Sequence, residues 1–266
     1  MEANHIHMLQ LLRLLSKKLE FISSLANVFL IWLGWAPVNK NGSFSLTKIS
    51  APDKELYRPL FQPWRAPGLF DDIWRNVENL TVNPKERAWV QHACIQQVAS
   101  LSGDFWEAGV YKGGTAVILR QTLEISCKNK MPTIRCFDTF AGMPQPDQSQ
   151  DSFDLGAYSD TSLETVRSVV GDDPFIHYHQ GFIPDTFVGL EGASISYAHI
   201  DVDLYQSVFD CCAFIYPRML KGGVMIFDDY GSIASYGART AVNDFFQDKA
   251  ESPLVLPGGQ ALLWRL

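Results

Sequence analysis

The sequence predicts an α/β fold, an open and mainly parallel sheet with helices on both faces and one antiparallel strand at its end. Three observations predict it. After Gly103, short apolar runs alternate with stretches of helical periodicity, the signature of strands joined by crossover helices. The first run ends in a glycine-rich turn, Gly109 to Gly114, that leads directly into a helical stretch. The last two runs are separated only by Pro257-Gly258-Gly259, too short a link for a crossover and long enough for a hairpin.

Taken in order, the expected strands cover residues 104–110, 133–137, 175–180, 195–201 and 223–227, and the terminal pair covers 253–256 and 261–266. Helices are expected over 114–126, 163–170, 207–220 and 237–249, with a further helical pattern over 84–101. Five parallel strands, a helix and a hairpin make a seven-stranded, Rossmann-like sheet. Upstream, residues 34–84 read as irregular and proline-rich, with aromatic clusters near Tyr57 and Phe70. A long ordered segment of that kind is usually a lid or binding segment. The expected division is therefore an N-terminal helix and lid over residues 1–80, and the sheet domain over 81–266.

The extreme N-terminus is apolar. Residues 8–20 show helical spacing with Arg13, Lys17 and Lys18 interspersed, and residues 21–35 carry no charge. That uncharged run is shorter than the roughly 18 to 20 residues a spanning helix needs. No small-residue cleavage site follows it. It is expected to dock or to form homo-oligomers rather than to enter a membrane.

Composition narrows the classes. With 47% apolar residues in 266, the chain can bury a core without staples. Twenty-two basic against 29 acidic side chains leave a net charge of −7 and no basic run, so nucleic acid is not an expected partner. The five cysteines are odd in number and lack C-x-x-C spacing, which argues against disulfides and cysteine-zinc sites and suits a reducing cytoplasm.

Two constellations carry chemistry. In the turn that contains Gly109, Tyr111, Gly113 and Thr115, glycines let the backbone approach a ligand at a positive helix end. It is not a P-loop, since Thr115 follows Gly114, nor is it G-x-G-x-x-G. Asp138 ends the next strand, where a carboxylate can accept hydrogen bonds from ribose hydroxyls. Together these features suggest an adenosine-bearing cofactor and leave NAD and S-adenosylmethionine both open. The second constellation is Asp201-Val202-Asp203 at one strand end and Asp228-Asp229 at the next. Four carboxylates at one sheet edge repel unless a cation sits among them, and an all-oxygen set favours Mg²⁺. A zinc alternative would draw on His177, His179 or His199, which read as strand residues.

The blocks resemble one family, the macrocin O-methyltransferases. They are Trp106-Glu107-Ala108-Gly109-Val110-Tyr111-Lys112-Gly113-Gly114, Asp138-Thr139-Phe140-Ala141-Gly142-Met143-Pro144 and Gly181-Phe182-Ile183-Pro184-Asp185-Thr186. Asp201-Val202-Asp203-Leu204-Tyr205-Gln206-Ser207 and Gly222-Gly223 through Asp228-Asp229-Tyr230-Gly231 follow, and Gly237-Ala238-Arg239-Thr240-Ala241-Val242 opens the next helix. The resemblance runs from about residue 80 to the last residue. Thr81-Val82 departs from the family's usual Thr-Met, and residues 1–79 show no match. The resemblance implies the seven-stranded methyltransferase fold and S-adenosylmethionine bound near Glu107, Gly109, Asp138 and Ser162, with Asp201 at the cofactor's edge. It also implies Mg²⁺ held by Asp201, Asp228 and Asp229, with Asp203 as the base. The implied acceptor is a sugar hydroxyl on a glycosylated secondary metabolite. The rival readings are an adenosine-binding regulatory protein without turnover, a nicotinamide oxidoreductase and a metal hydrolase.

Overall fold

The computed structural model describes residues 61–127, 130–232 and 234–266, together with the backbone of two strands, β1 (Trp35–Lys40) and β2 (Ser43–Lys48). Contacts divide the chain into two units, Met1–Gly68 and Leu69–Leu266. In the first, β1 and β2 pair antiparallel as a hairpin within a stretch expected to be irregular. The expected N-terminal helix lies outside the described residues.

The second unit opens with α1 (Leu69–Val77), which buries Phe70, Ile73 and Val77 at helical spacing. This helix too falls in the stretch read as irregular; there its aromatic cluster forms an amphipathic face. α2 (Lys85–Val98) follows. Then come β3 (Asp104–Ala108), α3 (Gly114–Ser126), β4 (Ile134–Asp138), α4 (Leu163–Val170) and β5 (Ile176–Gln180). The second half holds β6 (Ile195–Ile200), α5 (Tyr205–Ile215), β7 (Met219–Phe227) and α6 (Tyr236–Phe246). The chain closes with β8 (Leu254–Val255) and β9 (Ala261–Trp264).

The sheet order is β5-β4-β3-β6-β7-β9-β8, with β3 through β7 parallel and β9 antiparallel to both its neighbours. That is the predicted architecture. α5 stops at Ile215, five residues short of expectation, because Pro217 lacks the amide to continue it. The released residues start β7 at Met219.

Strand parity sorts the side chains. Trp106 and Ala108 of β3 pack in a core with Cys211 and Cys212 of α5 and Ala241 and Val242 of α6. The alternate residues, Phe105 and Glu107, face the other way, and α2 packs on β6 and β7. β3 and β6 are adjacent yet lead to opposite halves of the sheet. The crevice at their carboxyl ends is where open α/β sheets bind ligands.

Candidate active site

At that crevice lies a cavity of about 510 Å³, a volume typical of small-molecule sites. One wall is the turn after β3. Gly109 sits at φ +87, and a Cβ there would come within 1.8 Å of the Asp201 carbonyl oxygen. Only glycine fits, because the ends of β3, β4 and β6 meet at this point: Gly109 N donates to Phe137 O and Asp201 N to Ala108 O. Tyr111, Thr115 and Asp138 line the same wall. The Asp138 carboxylate accepts from the amides of Val110 (2.7 Å), Tyr111 (3.0 Å) and Phe140 (2.8 Å), so it braces the turn.

Three predicted cofactor residues stand off this wall. Glu107 is fully buried on the α2 side of the sheet, where strand parity sends it. Gly113 caps α3 in a left-handed conformation and faces α4, where a Cβ would meet Val170 at 2.9 Å. Ser162 caps α4, accepting from the Thr165 amide.

Asp201, Asp203 and Asp229 line the same cavity. Asp201 accepts from the Asn83 side chain at 3.2 Å, and Asp203 from Ser235 Oγ at 2.8 Å. Burial, then the charges of Asp228 and Asp229, pushes the Asp201 carboxyl well above its ordinary range. Burial and the Asp229 charge do the same to Asp203, and burial with the Asp228 charge raises Asp229. Asp229 also keeps a buried oxygen, Oδ2, without a partner.

Asp228 differs from its neighbour. It is buried beneath the wall, with Oδ2 on Arg87 at 2.7 Å and Oδ1 on Gln260 at 2.7 Å and His199 Nε2 at 3.2 Å. Burial alone would raise its pKa, but the hydrogen bond and charge of His199, with Arg87, hold it low. His199 is clasped on its other side by Glu107, 3.0 Å from Nδ1. Burial would strip its proton, yet the two carboxylates win, and its pKa rises well above the ordinary value. His199 thus bridges Glu107 and Asp228, and its Nε2 also lies 2.8 Å from the side-chain amide of Gln91.

His199, Asp201 and Asp228 each offer one atom within 4.8 Å of the others, and Asp229, next to Asp228 in the chain, keeps its orphaned oxygen. The donors are mostly hard carboxylate oxygens, with Arg87 as the fixed cation paired to Asp228 and Asp229, which fits a further, divalent cation. His177 and His179 lie on β5, away from this cluster in the strand order.

The cavity wall carries carboxylates and, among the described residues, no cationic side chain. Three of the four non-glycine residues at positive φ among the described ones, Tyr111, Tyr158 and Asp203, line it. Backbone strain of this kind concentrates where geometry serves a site.

The family described as macrocin O-methyltransferase (TylF) matches residues 76–265. The chain belongs to this family. The chain is similar to the 8-demethyl-8-(2,3-dimethoxy-alpha-L-rhamnosyl)-tetracenomycin-C 4'-O-methyltransferase of Streptomyces olivaceus. That enzyme is 27% identical over 77% of this chain and 82% of its own. The mycinamicin III 3''-O-methyltransferase of Micromonospora griseorubida is 28% identical over 64% and 70% of the two chains. Among solved structures, the O-methyltransferase NovP superposes with a TM-score of 0.61 at 22% identity, covering 76% of this chain and 90% of that one. The chain is thus an O-methyltransferase of the Rossmann-like class.

Family motifs lead to Asp201, Asp203, Asp228 and Asp229 but not to the residues that hold them. Arg87 and Gln91 come from α2, Asn83 from just before it, Gln260 from the terminal hairpin and Ser235 from the loop before α6. The only trace in the sequence is that Gln91 and His92 interrupt the buried, mostly apolar face of α2. Among the described residues, no helix is long and apolar enough to cross a membrane.

Proposed function

We propose that this enzyme transfers a methyl group from S-adenosylmethionine to a sugar hydroxyl of a glycosylated secondary metabolite, assisted by Mg²⁺. One observation carries the reading. The glycine turn and the carboxylates of Asp201, Asp203 and Asp229 line one cavity at the reversal point of the sheet. Carboxylates without lining cations suit a sulfonium and a metal ion, and disfavour the pyrophosphate of a nicotinamide cofactor.

When bound, the cofactor supplies the methyl group, and the cation lowers the pKa of the acceptor hydroxyl. Gly109, Tyr111, Thr115 and Asp138 would form the cofactor wall, with Asp201 at its edge. Asp201, Asp228 and Asp229 would hold the cation. Asp203 would take the hydroxyl proton, a role that typically contributes about 10² to 10⁴-fold. Glu107 acts through His199, keeping Asp228 oriented from beneath. Gly113 and Ser162 shape the neighbouring helix ends. Residues 1–80 are assigned to the acceptor lid, and their apolar N-terminal segment to self-association. The names of the tetracenomycin and mycinamicin relatives support a glycoside as acceptor.

Metal-stripped enzyme should be inactive in chelator and regain activity with Mg²⁺. S-adenosylhomocysteine should raise its melting temperature, and NADH should not. Full activity in chelator, or stabilisation by NADH alone, would overturn the assignment.

A further inference from the structure

Asp203 stands at φ +57, in the left-handed region that side chains other than glycine, asparagine and aspartate rarely enter. The Leu204 amide closes this turn on the Val202 carbonyl, and two loops brace it. From the loop before α6, Ser235 Oγ donates to Asp203 Oδ1 at 2.8 Å, and Ser235 is 3% exposed. From the long segment between β4 and α4, Asp151 Oδ1 accepts from the amide of Tyr205, the first residue of α5, at 2.9 Å.

The second contact replaces a missing one. The first amides of a helix lack partners within the helix and normally meet a capping side chain. Here the N-cap is Leu204, which has no group to accept them. The Asp151 carboxylate does so from another segment, at the end of the helix where negative charge is favoured. Asp151 is itself nearly buried, and its oxygen fits a slot that exists because residue 237 is glycine: a Cβ there would stand 2.1 Å from it. The two loops are also tied to each other, since Ser152 Oγ donates to the Ala234 carbonyl at 2.5 Å.

We propose that Asp151 and Ser235 are positioning residues that lock the turn bearing Asp203, so that Oδ1 is held and Oδ2 is presented to the acceptor. The inference rests on Asp203 being the base. It makes the two cavity-side loops part of the catalytic geometry: when they are in place, Asp203 is oriented.

The test compares Ser235→Ala, Asp151→Ala and Asp151→Asn, each alone and combined with Asp203→Asn. Turnover is followed on a rhamnosyl glycoside, S-adenosylhomocysteine affinity by calorimetry, and amide exchange at residues 203–206 by mass spectrometry. Both alanine variants should lower kcat about 10-fold, the scale of a lost hydrogen bond to a charged group, with cofactor-product affinity unchanged. Asp151→Ala should also speed exchange at the Tyr205 amide. Asp151→Asn keeps an oxygen acceptor and should restore most of kcat and of the protection. In the Asp203→Asn background neither alanine change should cost more.

Full kcat in both alanine variants, or losses that add to that of Asp203→Asn, would overturn the inference. Loss of cofactor-product affinity in step with kcat would also overturn it, because it marks a merely structural role. Should Ser235→Ala fail to fold, Ser235→Cys, which keeps the volume with a weak donor, carries the same expectation. The two failures separate cleanly. An Asp203→Asn enzyme with normal turnover defeats the base assignment and the inference with it. An inactive Asp203→Asn beside fully active Ser235→Ala and Asp151→Ala defeats the inference alone.

Discussion

Asp228 and Asp229 are adjacent in sequence, yet one is held by Arg87, His199 and Gln260 while the other keeps a bare buried oxygen. Residues of one type at one strand end can therefore fail in different ways when changed. Asp203→Asn preserves shape but cannot accept a proton as a carboxylate does. Its turnover should fall by about 10²-fold or more, with S-adenosylhomocysteine affinity intact and no rescue by added metal. On the proposed assignment Asp229→Asn loses a cation ligand, so a Mg²⁺ titration should show a weaker apparent affinity and partial rescue at high concentration. Rescue of Asp203→Asn by metal would place Asp203 among the ligands instead.

At the scale of elements, the terminal hairpin does more than finish the sheet. Its turn accepts from Arg87 Nε at the Gly258 carbonyl, and Gln260 donates to Asp228, so β8 and β9 support the site from below. The hairpin is anchored by Glu251, a buried side chain bound by the Tyr216 hydroxyl, Arg265 and the Leu266 amide. The Tyr216 hydrogen bond first, then Arg265, lowers its pKa from 4.5 to about 2. Because the folded value lies below the unfolded one, the stabilisation is complete above about pH 4.5 and fades as pH falls toward 2. It amounts to roughly 3 kcal/mol. Glu251→Gln should be less stable than the native protein at pH 7, and the gap in urea midpoints should close between pH 4.5 and 2. A gap independent of pH would show that packing rather than charge is at stake.

For the whole molecule, the unit that begins at Leu69 contains the sheet, the cavity and every carboxylate of the cluster. The family match begins close by, at residue 76. A chain starting at Leu69 should therefore fold and bind S-adenosylhomocysteine with affinity near that of the full chain by calorimetry. Turnover on a glycoside should drop if residues 1–68 supply acceptor contacts. Undiminished kcat/KM would remove the N-terminal segment from the acceptor site.

Much of this unit is legible from the chain alone. Alternating apolar runs and helical periods give the parallel sheet, because each pattern leaves one way to bury its face. The turn at Pro257-Gly258-Gly259 gives the antiparallel end. The glycine turn and the paired aspartates announce their chemistry through local spacing. Where an element ends against a neighbour is less visible: α5 yields to β7 at Pro217, and α1 emerges from a stretch that reads as loop. The partners of the carboxylates are not visible at all. Arg87 and Asp228 are 141 residues apart, and Asn83 and Asp201 are 118 apart. By itself the sequence determined the fold class, the carboxyl edge of the sheet as the place of the site and the acidic residues gathered there. Only the tertiary structure decided which side of the sheet takes Glu107, which of Asp228 and Asp229 keeps a free oxygen, and what holds Asp203. Backbone pattern depends on neighbours a few residues away, whereas charge balance and side-chain direction depend on whatever the fold brings into contact.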